Sequence, residues 1–143
     1  MYDLVSSVLD QAAEHPYHVE SNNAMDTLAE KLGAYASSLT YEDIPTHVVH
    51  QAKRTITDTL GCAFGGFHSE PARIARELAG LVSSSAPATL LCSGRKTSVE
   101  LATFANDASV RFLDFNDGYV GKGGGHPSDS IPALLACAEV AHA

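Results

Sequence analysis

The sequence predicts an all-α fold of five to six helices with at most one short extended segment, and three observations carry that expectation. Apolar residues recur at three- and four-residue spacing through most of the chain. Helix-capping residues stand where these runs begin, and glycines stand where several of them end. Strands and helices do not alternate in the way that builds a parallel sheet. The 143 residues are 45% hydrophobic and 18% charged, ordinary values for one globular domain.

Residues 1–22 read as a loosely attached tail, in which Val5, Val8, Leu9 and Ala12 outline one short helix. Residues 23–143 read as the helical domain, itself incomplete. Its first helix puts Leu28, Leu32, Tyr35, Ala36 and Leu39 on one face, with Asn22 or Asn23 as its cap. A longer helix runs from Pro45 to about Phe64, with Ile44, Val48, Ala52, Ile56, Leu60 and Phe64 recurring every four residues. Pro45 suits its first turn, and Gly65-Gly66 stop it. Ser69 caps a third helix that carries Pro71 in its first turn, buries Ile74, Leu78 and Leu81, and pairs Glu70, Arg73 and Glu77 on its wet side.

The stretch "SSSAPATLLCSGRKT", residues 83–97, breaks this pattern and holds one apolar run, Ala88 to Cys92, that reads as extended without a partner strand. Thr97-Ser98-Val99-Glu100 has the spacing of a capping box, and Leu101, Phe104, Ala105, Ala108 and Phe112 carry the helix that follows. A last helix, capped by Ser128, Asp129 or Ser130 and tolerating Pro132 in its first turn, has its body from Ala133 to His142. Its apolar residues point to several sides, so the 143 residues read as a fragment whose last helix packs against further chain.

A net charge of −8 and nine scattered Lys and Arg residues argue against a nucleic-acid or anionic-membrane partner. No apolar run approaches the ~18 residues of a membrane span. Asp3, Asp10, Glu14 and Glu20 stand at the N-terminus without a Lys or Arg among them, which is unlike a targeting segment and leads us to expect a cytoplasmic protein. Cys62, Cys92 and Cys137 are far apart and read as reduced thiols rather than as a disulfide, zinc or iron–sulfur framework. His47 and His50, one turn apart near Arg54, read as a wet helix face, so neither metal nor cofactor is expected.

The densest polar stretch is "LDFNDGYVGKGGGHPSDS", residues 113–130. Asp114 follows a helix end, where a carboxylate opposes the partial negative charge of the carbonyls unless a cation compensates, the setting that suits proton transfer. His126 stands just before the next helix, whose free N–H groups favour a bound carboxylate or phosphate. The intervening glycines allow close approach of a ligand. Asp114 and Asp117 also suit helix-end and Asx-turn roles, and His126 also suits a solvated loop. Lys122 is followed by Gly123, so the stretch is not a phosphate-binding P-loop.

In their order along the chain, "LAEKLGAYASSLTYEDIP", "AKRTITDTLGCAFGG", "ATLLCSGRKTSVELATFANDASVRFLDFND" and "GGGHPSDSIPALLACAE" resemble the N-terminal part of the MmgE/PrpD family, over about residues 24–143. The family includes 2-methylcitrate dehydratase and cis-aconitate decarboxylase. The resemblance implies the N-terminal portion of the family's helical domain and a metal-independent lyase that eliminates water from a small tricarboxylate, with a homodimer or the remainder of the domain as protein partner. It implies Asp114 and His126 as catalytic residues, and Asn116, Asp117, Gly118, Lys122 and Ser128 complete the candidate substrate site. Gly118 stands where the family often has Thr. Decarboxylation of cis-aconitate, epimerisation of a polycarboxylate, and a non-catalytic helical interaction module are the other readings.

Overall fold

The computed structural model describes residues 27–120 and 124–142. The expected tail helix, the caps Asn22 and Asn23, and Lys122 with its flanking glycines lie outside the described residues. Among the described residues are five α-helices, α1 (Leu28–Ser38), α2 (Thr46–Gly66), α3 (Glu70–Ala79), α4 (Val99–Arg111) and α5 (Ile131–Val140), with 3-10 turns at Tyr41–Asp43 and Pro127–Ser130. The extended structure among the described residues is two short antiparallel pairs where one segment was expected. In the first pair β1 (Ala88–Thr89) lies on β2 (Lys96–Thr97), and in the second β3 (Tyr119–Val120) lies on β4 (Gly124–Gly125). The partner of the Ala88 run escapes a sequence reading because Lys96-Thr97 is too short and polar to look like a strand. Cys92 and Gly94, both at positive φ, turn the chain between them.

Helix α4 is the centre, with α2, α3 and α5 packed around it. The buried faces are built of small residues: Thr59, Cys62, Ala63 and Gly66 on α2, Ala72, Ala75 and Ala79 on α3, and Ala102, Ala105, Asn106, Ser109 and Val110 on α4. This corrects the expected stripes. Val48 and Phe64 of α2, Ile74 and Leu78 of α3, and Leu81 beyond it are exposed, as are Phe104 and Phe112 around α4. Large and small apolar residues recur at the same period, and here the small ones win because they let helix axes approach closely. The largest fully buried side chain comes from the first hairpin, whose Leu90 packs with Ala75, Ala79 and Ala105.

Two further expectations shift. Gly65-Gly66 do not stop α2 but form its last turn, where a Cβ on Gly66 would lie 2.0 Å from the Ser109 carbonyl oxygen of α4. The cap of α4 is Ser98, which accepts from the Leu101 N–H at 3.4 Å. Thr97, buried, instead donates its hydroxyl proton to the Ala79 and Val82 carbonyls, satisfying the end of α3. Thr27 caps α1 with Glu30 as its reciprocal partner, while Ser69 caps α3 as expected and Arg73 pairs with Glu77 at 2.6 Å. Ser130 precedes α5 without a side-chain cap bond.

Glu139 of α5 fastens the first hairpin to the helices. Its carboxylate accepts from the Lys96 ammonium at 2.5 Å, the Thr89 hydroxyl at 2.6 Å and the Thr89 N–H at 2.7 Å. The Lys96 contact, followed by the Thr89 hydroxyl, holds its carboxyl down at about 2. A carboxyl depressed in the folded state stabilises fully above its unfolded value near 4.5 and loses that contribution as pH falls toward 2. Discounted for the half-exposed lysine, the contribution is roughly 1–2 kcal/mol. Urea unfolding of Glu139→Gln should therefore show that loss at pH 7, and the gap from the unsubstituted chain should narrow progressively below pH ~4.5.

Candidate active-site loop

Helix α4 ends at Arg111, and the chain then turns through Asp114, a non-glycine residue at positive φ, into the loop. The hairpin of β3 and β4, with Tyr119 opposite Gly125 and Val120 opposite Gly124, folds the chain back so that His126 and Ser128 return to Asp117. Asn116, Asp117, His126 and Ser128 are thereby brought together. The Asn116 Nδ2 donates to Ser128 Oγ at 2.7 Å, the Ser128 N–H donates to Asp117 Oδ1 at 3.1 Å, and His126 Nδ1 lies 2.5 Å from the Asp117 carbonyl oxygen. A carbonyl only accepts, so the Nδ1 of His126 carries the proton, and in the neutral ring Nε2 is left with its lone pair, on an exposed side chain.

Asp114 stands apart from this group. Its side chain is 84% exposed, and its Oδ1 lies 3.7 Å from Arg111 Nη2, so the compensating cation is the last residue of its own helix. No hydrogen bond joins it to His126 among the described residues. Gly118 borders the loop with open space around its Cα, and Ser128 is fully buried.

The anion-receptive N–H groups before α5 are already engaged. Ser128 N–H is taken by the carboxylate of Asp117, and Asp129 N–H by the His126 carbonyl at 3.0 Å. The chain thus supplies its own anion where a ligand carboxylate was expected.

Two residues that sequence reasoning missed are Arg111 and Asp107. Arg111 Nη1 donates to Asn116 Oδ1 at 2.9 Å and lies 3.5 Å from Asp129 Oδ1. Asp107, one turn earlier, is pushed up chiefly by burial and next by the Asp129 carboxylate, with Arg111 opposing both. Its Oδ1 is buried without a partner, as is Asp117 Oδ2. The i, i+4 spacing of Asp107 and Arg111 at a helix end was the available signal.

Two cavities adjoin the loop and share Gln51, Thr55 and Asp117. One, about 720 Å³, is lined by His50, Lys53, Arg54, Asp58 and Phe115 as well. Lys53 and Arg54 enter no ion pair among the described residues. The other, about 640 Å³, is largely apolar, with Val48, Ile56, Tyr119, Leu134 and Leu135 in its walls. Cys62 is buried in the core with Ala63 and Val110, its thiol pushed up by burial and by Asp58 and Asp117. All three cysteines are free, and no helix among the described residues is long and apolar enough to cross a membrane.

The described residues thus form a helical domain that carries an exposed histidine on a polar loop. Residues 30–143 match the MmgE/PrpD N-terminal domain, and the chain belongs to the MmgE/PrpD family. It is 32% identical over 112 residues to the alkylcitrate dehydratase phiI of Talaromyces stipitatus, covering 73% of this chain and 22% of that protein. It is 36% identical over 95 residues to the 2-methylcitrate dehydratase of Cupriavidus necator, covering 62% of this chain and 18% of that protein. With the 2-methylcitrate dehydratase of Salmonella typhi the identity is 31% over 108 residues, 71% of this chain and 21% of that protein. The chain spans about a fifth of the length of the curated relatives it matches. No solved structure gives a significant match.

Proposed function

We propose that the chain carries the acid–base loop of a dehydratase acting on a small tricarboxylate of the 2-methylcitrate type. The observation that carries this reading is the bond from His126 Nδ1 to the Asp117 carbonyl, which leaves Nε2 as a proton acceptor on an exposed side chain. In the elimination, Nε2 takes the proton from the carbon next to a carboxylate and the freed electron pair forms the double bond. The carbon–oxygen bond breaks, and the imidazolium returns the proton to the departing hydroxide as water. Asp114, held through Oδ1 by Arg111, is the polar group on the solvent side of the loop. Because the Ser128 N–H is taken by Asp117 and the Asp129 N–H by the His126 carbonyl, substrate carboxylates fall to Lys53 and Arg54. The adjoining apolar cavity suits an alkyl substituent. The dehydratase names of three relatives support the reaction class.

Ultraviolet absorbance of the new conjugated double bond, with 2-methylcitrate as substrate, tests the proposal. The His126→Gln variant should turn over about 10²–10⁴-fold more slowly. An unchanged rate would remove His126 from the chemistry.

A further inference from the structure

We propose that Arg111 is a positioning residue for His126, acting through a run of hydrogen bonds that ends on the imidazole Nδ1. The inference rests on His126 as the proton acceptor and adds the residue that holds it in that form.

A guanidinium only donates, so its 2.9 Å contact obliges Asn116 to present Oδ1 to Arg111. The amide NH₂ must then face Ser128, whose Oγ accepts it at 2.7 Å. Ser128, buried and held at that oxygen, directs its N–H to Asp117 Oδ1 at 3.1 Å. Asp117, fixed by its own side chain, offers its backbone carbonyl to His126 Nδ1. Arg111 fixes the sense of the Asn116 amide, and the later links, whose donor and acceptor senses are invariant, fix the position of the Asp117 carbonyl. Arg111 also reaches both sides of the loop, lying 3.7 Å from Asp114 on one and 3.5 Å from Asp129 on the other. Its place at the C-terminal end of α4 is favourable for a cation and leaves it only one-third exposed.

A side chain that merely stapled the loop would contribute stability without governing a tautomer, so the decisive readout is the tautomer itself. Nitrogen-15 chemical shifts of the neutral His126 ring report which nitrogen carries the proton, in the full chain and without ligand. The unsubstituted chain should show the proton on Nδ1. Arg111→Gln should move the ring to a majority of the Nε2–H form, which an imidazole adopts when no acceptor holds Nδ1. Arg111→Lys, which keeps a cation for Asp114 and Asp129 but cannot fork to Asn116, should shift it part of the way. Asn116→Asp keeps the Arg111 contact and removes the NH₂, so it should shift the ring even where Arg111→Gln proves too unstable to study. Glu139→Gln, destabilised at a remote contact, should leave the tautomer unchanged.

Nε2–H in the unsubstituted chain, or Nδ1–H retained in the folded Arg111→Gln or Asn116→Asp variant, would overturn the inference. Neither spectrum needs a substrate: Nδ1–H retained in the variants leaves the tricarboxylate reading standing, whereas Nε2–H in the unsubstituted chain removes its proton acceptor as well. Absence of tricarboxylate turnover, in turn, leaves the tautomer result intact.

Discussion

Gly66→Ala should lower the stability of the chain by roughly 3 kcal/mol, the range expected when a side chain is forced into a packed contact. The added Cβ would lie 2.0 Å from the Ser109 carbonyl oxygen and 3.0 Å from its carbonyl carbon. These are backbone atoms of α4 that cannot swing aside, so the helices must part. Parting them loosens the contacts of Cys62 and Ala63 with Val110, the cluster one turn away. Gly61, in the same helix with nothing within 4 Å of its Cβ position, provides the contrast. There Ala should stabilise by about 0.5–1 kcal/mol through helix propensity alone. Urea midpoints of the two variants should therefore move in opposite directions.

Asn106→Leu should cost about 3 kcal/mol, through two partly buried backbone groups left without partners. Asn106 is 4% exposed; its Oδ1 accepts from the Leu91 N–H at 2.8 Å, and its Nδ2 donates to the Thr89 carbonyl at 3.0 Å. One amide thus serves a donor and an acceptor of the first hairpin, where leucine offers neither. Hydrogen exchange of the Leu91 amide should accelerate in the variant along with the fall in the urea midpoint.

The fold class and most helix boundaries were legible in the sequence because caps and breakers act locally. Ser69 with Pro71 marks the start of α3, and Pro132 sits in the first turn of α5, both within reach of a few neighbouring residues. The buried faces were not legible. Ala75 and Ala79 recur with the same period as Ile74 and Leu78, and only the close approach of α4 decides which pair is covered.

At the site, the chemistry-bearing loop was visible as a dense polar stretch, and the structure joins Asn116, Asp117, His126 and Ser128. The Ser128 and Asp117 pairing that occupies the helix N-terminus was hidden, because it depends on the β3–β4 hairpin bringing residues eleven positions apart together. Arg111 was hidden for a similar reason. A helix-end arginine is common, and only the returning turn shows that it faces Asn116 and Asp129 at once.

The central claim, that the cleft between α2 and the loop receives a tricarboxylate, is tested most directly by calorimetric titration of the full chain with 2-methylcitrate. The account predicts saturable binding at one site, weakened on the order of tenfold or more when Lys53 and Arg54 are both replaced by Gln, since each removes a charge-assisted contact. No saturable heat, or equal affinity in the doubly substituted chain, would contradict it.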